Sequence, residues 1–451
     1  MTAEAIVMNK TAVALAADSA VTISSGRGGI KTYETINKLF ELIRGSNVGL
    51  MIYSNAELNR IPWETIVKTY RRERSGFIAP HLEDYVDDFS SFLAGSNALI
   101  PQDSDTSFVV QTTYDQLLKL FKFIVDNKAN WISGSGRVVK SRLLAVLREA
   151  LNTMESSLVE SEDAPWAEAL PEKQLELEYG AAIDSLVSEL FGEFEITKAD
   201  SNRIRQFSLS ALRKCVSEPG ETGLVIAGFG TEDYLPKLYS SLVRGRVSKV
   251  LRVAHPSLKN ITIDAPGHFQ TFAQDEQAMG FLSGISSEVR SAVVQYWSEW
   301  VENVATRAAH EIRAEIPKLD EATISRVSAE LHKVAHEGLS QFGDEMSRRE
   351  YSLYIRPTLD SIASLPKDEL GLLAESLVNI TSLKQRMSIF DYQTVGGPID
   401  VALISLGDGF VWLRRKHYFS PELNPSWHLT HQGTINSRGS NPGGSDGDRQ
   451  A

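Results

Sequence analysis

The sequence predicts an α+β fold in which β-rich blocks are separated by long helical ones. Three observations lead there. Short runs of β-type residues open the chain, return at 223–264 and close it at 399–415. Residues 78–218 and 277–386 instead space their apolar side chains at helical intervals. Prolines 317, 357 and 366 punctuate the second helical block and so divide it into several helices.

The first two runs flank Asn9-Lys10, a pair suited to a tight hairpin because Asn tolerates φ > 0. That hairpin returns the chain start to the side of Asp18. Asn37 to Ile43 and Asn47 to Tyr53 form a second strand pair joined through Gly45-Ser46, and 48–53 is apolar enough to be buried on both faces. A helix follows from about Glu57 to Arg74. Further helices cover Tyr114–Val125, Val138–Leu158, Glu172–Phe191 and Lys198–Cys215. Strands return at 223–230 and 236–245, with two more expected at Val247–Val253 and Lys259–Asp264. The closing pair, 399–406 and 409–415, turns at Gly407-Asp408-Gly409. Beyond about His431 the Gly, Ser, Asn and Asp content predicts a disordered tail.

A length of 451 residues accommodates two or three average domains, or one with large insertions. With 42% hydrophobic and 23% charged residues the chain reads as an ordinary globular protein. Its net charge of −12 argues against nucleic acid as a partner. The single Cys215 excludes an intramolecular disulfide and reads as an inert thiol in a reducing compartment. No secretory signal or bilayer-spanning apolar run is evident, so a cytoplasmic location and no membrane partner are expected.

Thr2 directly follows the initiator Met, so removal of Met1 would give one residue both a hydroxyl and a free α-amine. A hydroxyl nucleophile needs a base, and an α-amine of ordinary pKa about 7.7–8.0 is partly neutral near pH 7. Thr2 alone says little, since many proteins begin this way. Lys38 has an everyday reading as a solvated strand-edge lysine. It leads into an apolar strand, however, where an unpaired ammonium is costly and Asp18 would offset the cost.

Thr2, Ala16-Ala17-Asp18-Ser19, Thr22 and then Lys38 together resemble the start of a proteasome β-type subunit. That family belongs to the N-terminal-nucleophile (Ntn) hydrolases and includes bacterial relatives such as HslV and Anbu. Thr2 and Asp18 are 16 residues apart, as in the family, whereas the 20 from Asp18 to Lys38 are a few more. The glycine-rich 24–29 absorbs the excess as a longer loop. The strand ending Ala227-Gly228 before Pro236-Lys237-Leu238-Tyr239 resembles the family's central pair. Asp391-Tyr392-Gln393-Thr394-Val395-Gly396-Gly397-Pro398 resembles its segment entering the penultimate strand, with Thr394 where Ser is usual. Taken alone, Asp391 would read as an Asx turn.

The resemblance implies a four-layer αββα sandwich of the proteasome type with large helical insertions. Residues 1–75, 219–285 and 386–430 would build the sandwich, 76–218 and 286–385 the insertions, and 431–451 the tail. It implies a threonine peptidase, a hydrolase without a cofactor or metal. Thr2 would be nucleophile and, through its amine, base. Lys38 would tune it, Asp18 would orient Lys38, and Asp391 and Thr394 would support the amine. Ser54-Asn55 falls where the family has glycines at the oxyanion site, and substrate would add as a strand beside Thr22. The serine expected near Thr271–Gln277 is missing. Peptide or protein substrates, a homo-oligomer and an ATPase or unfoldase partner belong to the same implication. An inactive proteasome-like scaffold and an amidohydrolase of small molecules are the alternatives. The glycine clusters at 26–29 and 134–136 lack the P-loop ending. His332 and His336, an i, i+4 pair, lack the glutamate of an HExxH arrangement, so no metal site is expected.

Overall fold

A computed structural model describes residues 3–25, 29–134, 136–216, 220–273, 276–315, 320–387, 395–417 and 419–424. Its opening hairpin pairs β1 (Ala3–Asn9) with β2 (Ala12–Ala17), and both strands are buried throughout. Alternation of side chains explains how both faces are used. Ala3, Ala5, Val7, Ala12, Ala14 and Ala16 face a helical layer, whereas Ile6, Met8, Val13, Leu15 and Ala17 face a second sheet. The small residues let helices approach, and the larger ones fill the space between sheets. The turn uses Asn9, but not through a positive φ. Its Oδ1 accepts from Thr11 N (2.9 Å), while Nδ2 donates to the carbonyls of Ile362 (3.0 Å) and Leu365 (2.9 Å).

After β2 the chain forms β3 (Val21–Ser25) and β4 (Gly29–Tyr33), a separate hairpin. The glycine-rich stretch expected as a simple loop is therefore flanked by paired strands. Next come β5 (Leu39–Glu41), β6 (Val48–Ser54) and the two-residue strands β7 (Glu57–Leu58) and β8 (Ile61–Pro62). The first helix, α1 (Trp63–Glu73), thus starts later than the expected Glu57. The reason is a tight turn at Asn59-Arg60, both at positive φ (49° and 68°). Asn59 is tied to both backbone groups of Arg246 and to Asp105.

Six helices follow: α2 (Leu82–Gly95), α3 (Gln102–Asp126), α4 (Lys128–Trp131), α5 (Lys140–Glu160), α6 (Glu172–Phe191) and α7 (Lys198–Ala211). Then come β9 (Thr222–Gly228), β10 (Lys237–Val247), β11 (Val250–Asn260) and β12 (Gly267–Ala273). The expected strand across Val247–Val253 is instead a hairpin, turning at Ser248-Lys249 with φ of 48° and 65°. Lys259–Asp264 is no separate strand; β11 runs to Asn260, and sequence reading missed β12 as it did β7 and β8.

The second helical block comprises α8 (Glu276–Ser283), α9 (Ser287–Glu315), α10 (Glu321–Glu350), α11 (Arg356–Ser364) and α12 (Lys367–Met387). Pro357 does not break the chain: it follows a π-helical turn, Tyr351–Ile355, that carries α10 into α11 without interruption, and such a widened turn accommodates the missing N–H. The closing strands are β13 (Asp400–Ser405) and β14 (Gly409–Arg414). The expected disordered tail lies outside the described residues.

Two five-stranded antiparallel sheets result, in the orders β12-β1-β2-β13-β14 and β11-β10-β9-β6-β5. Between them pack Ile6, Met8, Leu15, Met51, Val225 and Ile404. Gly49 allows their close approach, since a Cβ there would come 2.8 Å from both Leu15 Cδ1 and Ile404 Cδ1. Leu370, Ala374, Leu377 and Val378 of α12 cover the first sheet, and Trp63, Ile66, Tyr70 and Phe89 of α1 and α2 cover the second. Helices α3 to α7 share a core of their own, joined by Val247 and Ala254 from the β10–β11 turn region. Among the described residues, no helix is long and apolar enough to cross a membrane.

Candidate active site

Asp18 follows β2 directly, at the point where the first sheet meets the start of the chain. Its backbone N–H donates to Ala3 O (3.2 Å), as hairpin pairing requires. Its carboxylate then collects three backbone donors: Ala3 N on Oδ1 (3.3 Å), and Ala20 N (3.3 Å) and Gly396 N (3.0 Å) on Oδ2. Lys38, entering β5, donates through Nζ to Asp18 Oδ1. Only 4% of the Lys38 side chain and 1% of that of Asp18 are exposed, so this is an ion pair taken out of water. Such a pair persists only where other bonds satisfy the remaining lone pairs, and the three amides do this for Asp18.

A second carboxylate joins them. Glu4 Oε1 is 3.6 Å from Lys38 Nζ, and the Glu4 side chain is fully buried. Glu4 belongs to the same strand face as Ile6 and Met8, which explains how it reaches the space between the sheets. Lys38 is therefore held between two buried carboxylates. The sequence reading missed Glu4, although its signal is plain: one charge inside the strand Ala3-Glu4-Ala5-Ile6-Val7.

The lysine also lines a narrow cleft with Val21, Ile36, Ile52, Ser54 and Asn55. Ser54 sits at φ = 69°, a left-handed conformation that costs an L-residue about 1–2 kcal/mol. Asn55 N donates back to Tyr53 O (3.1 Å), closing a γ-turn around Ser54 and committing the Asn55 amide. Asn55 is anchored further by Nδ2 to Gly220 O (2.6 Å), and its carbonyl accepts from Thr222 Oγ1 (3.2 Å), which in turn accepts from the Trp63 indole (3.1 Å). Tyr53 occupies the room left by Gly223, whose Cβ would fall 1.9 Å from the ring. Because glycine adopts positive φ freely, Ser54→Gly should stabilise the protein by roughly 0.5–1 kcal/mol. The check is its urea-unfolding midpoint, and a fall in that midpoint would contradict strain at Ser54.

Of the sequence-derived candidates, the structure brings Asp18 and Lys38 together and sets Ser54 and Asn55 in the cleft that Lys38 lines. Thr22 lies on β3, opposite Thr32 of β4. Thr2, Asp391 and Thr394 lie outside the described residues. Ala3, next to Thr2, and Gly396, two residues after Thr394, both donate to Asp18. Ser19 adds to this junction, its N–H donating to Gly396 O (3.2 Å) and its Oγ to Pro398 O (2.5 Å).

Comparison with known proteins adds one kind of finding. No family model matches the chain, and no curated protein matches it. Solved structures do. An Anbu mutant from Hyphomicrobium sp. strain MC1 is 8% identical, with 98% of this chain and 99% of that chain covered at a TM-score of 0.27. The Anbu complex from Pseudomonas aeruginosa, described as a helical assembly, is 10% identical over 98% of each chain at a TM-score of 0.32. The structural likeness is to Anbu, and it is distant.

Elsewhere, Glu302 of α9 comes within 3.5 Å of His332 Nε2 and 3.7 Å of His336 Nε2, so these histidines do have a glutamate nearby. Among the described residues, though, no group of three such side chains is arranged to hold a metal ion. Cys215 is partly exposed, 3.5 Å from Arg244 Nη1.

Proposed function

We propose that this chain is a threonine peptidase of the Ntn-hydrolase class, on a four-layer αββα sandwich of the proteasome type. The observation that carries this is the buried Asp18–Lys38 pair, to which the amide of Ala3, the residue after Thr2, is bonded directly. With Met1 removed, the Thr2 hydroxyl attacks a substrate carbonyl carbon and passes its proton through the α-amine to the departing amine. The acyl group is left as an ester on Thr2. Water then attacks that ester, giving its proton to the α-amine, which passes it to the Thr2 oxygen as the acid departs. Lys38 favours the deprotonated forms of both Thr2 groups by its charge. Asp18 holds and aims Lys38, with Glu4 as a second partner. Asp391 and Thr394 support the amine. The oxyanion site falls at Ser54-Asn55, where a backbone N–H would meet the developing negative charge. Extended substrate adds beside Val21-Thr22-Ile23.

Exposed Tyr296, Trp297 and Trp300 on α9 favour a homo-oligomer built partly through the helices. An ATPase or unfoldase partner and a cytoplasmic site of action complete this reading. A scaffold without catalysis is the second reading, favoured by the committed Asn55 amide and the narrow cleft. Intact mass and assay of the untagged protein on casein and short peptides separate them. The peptidase reading expects loss of Met1 together with cleavage. Retained Met1 and no cleavage of any substrate would favour the scaffold, and turnover of only small amides would favour an amidohydrolase.

A further inference from the structure

Strand β5 separates two environments. Lys38 faces the buried ion pair, whereas its neighbours Asn37 and Leu39 line a different cavity of about 690 Å³. That volume falls within the ordinary range for small-molecule sites. Three arginines from distant parts of the chain converge there: Arg44 from the β5–β6 loop, Arg71 from α1 and Arg415 beyond β14. With Lys68 and Lys416 they set five cations against three lining glutamates, Glu34, Glu41 and Glu64, so in a chain of net charge −12 the lining is net positive.

The other cations of the cavity are accounted for. Lys68 pairs with Glu64, and Lys416 with Asp400. The three arginines have no carboxylate in an ion pair among the described residues. Glu41 lies nearby, and its Oε1 accepts from Gly45 N (2.8 Å). Arg71 uses Nη2 on the Glu41 carbonyl, but its Nε is buried without a partner among the described residues. Burial pulls the Arg71 pKa down, and the facing charges of Arg44 and Arg415 pull it further, against Glu41. Arg415 is ordered by stacking on Trp412, 4.7 Å from the ring centroid. Guanidiniums gathered against their own repulsion, one with an unused buried N–H, call for an anion.

We propose that this cavity binds a small polyanion carrying two or more phosphate or carboxylate groups. Planar guanidinium forks match both groups in bidentate fashion, and three of them exceed what a single charge needs. The proposal stands apart from the peptidase reading, since it uses none of Thr2, Asp18 or Lys38.

Calorimetric titration of the full chain with tripolyphosphate and with citrate, at fixed ionic strength, tests it. Saturable one-to-one binding of at least one of them is expected, and the tighter one assigns the phosphate or carboxylate source. Arg44→Ala and Arg415→Ala alter exposed side chains and should keep the fold. Each should weaken binding roughly tenfold or more, the worth of a charged hydrogen bond. Arg348→Ala, on the exposed face of α10, should bind as the parent does. Absence of saturable binding by either anion would overturn the proposal. So would unchanged affinity in both cavity variants, or an equal loss in Arg348→Ala.

Discussion

Lys38→Met should destabilise the protein by about 3–5 kcal/mol, the usual cost of breaking a buried ion pair by removing one partner. Methionine fills much of the same volume, so the loss is electrostatic and not a cavity effect. Asp18 keeps its three backbone donors but faces the Glu4 carboxylate with no cation between them. Two buried carboxylates in that position cannot both stay charged at little cost. A second substitution, Glu4→Gln, should therefore return part of the loss, on the order of 1 kcal/mol, when added to Lys38→Met. Chemical unfolding of the four proteins in the cycle measures this. Stability of Lys38→Met within about 0.5 kcal/mol of the parent, as for an ordinary surface change, would mean that Lys38 is solvated. Activity should also vanish in Lys38→Met, and it should stay absent in the double variant. Restored stability without restored turnover separates the role of the lysine in chemistry from its role in folding.

Thr2→Ala should abolish turnover, a loss of at least about 1,000-fold, while leaving the unfolding midpoint close to the parent's. The substitution removes one hydroxyl and one methyl, and the backbone bond from Ala3 to Asp18 does not depend on either. Thr2→Ser should keep part of the activity, because hydroxyl and amine both remain. An N-terminal tag that is not removed should be as harmful as Thr2→Ala, since an amide nitrogen cannot take the proton that a free amine takes. The same tag at the C-terminus should be harmless. Full activity in a protein that retains Met1 would end the mechanism, whatever the fold.

Strand and helix types were legible in the sequence where one periodicity ran unbroken. The β1–β2 hairpin, β6, β9, α6 and the closing pair β13–β14 all fall close to where alternating or helical spacing puts them. Errors came where backbone turns overrode composition. Asn59-Arg60 and Ser248-Lys249 are tight turns without a glycine; Asn59 tolerates φ > 0, but nothing in Arg60, Ser248 or Lys249 announces a left-handed conformation. Long-range bonds hold the first in place, through Asn59 to Arg246 and Asp105, partners far away in sequence. Asn9 made the expected turn for a different reason, by bonding its side chain to Thr11 and to carbonyls more than 350 residues away.

Of the candidate site, residue types and order were readable along the chain; burial cost called for a carboxylate beside Lys38, and the family resemblance chose Asp18. A lysine entering an apolar strand needs a carboxylate, and that requirement holds for any fold. The sequence by itself thus determined the class of the fold, the positions of its β blocks and the demand for an ion pair. Only the tertiary structure decided that a second carboxylate, Glu4, shares the lysine. Strand pairing sets which face of β1 looks inward, and a shift of one residue would have turned Glu4 toward the helices. The tertiary structure likewise decided that Asn55 spends its amide on Tyr53, and that three arginines from separate elements surround one cavity. The arginine cluster, and the bonds to Gly220 and Thr222 that hold Asn55 in its local turn, join segments tens to hundreds of residues apart, which local pattern does not encode.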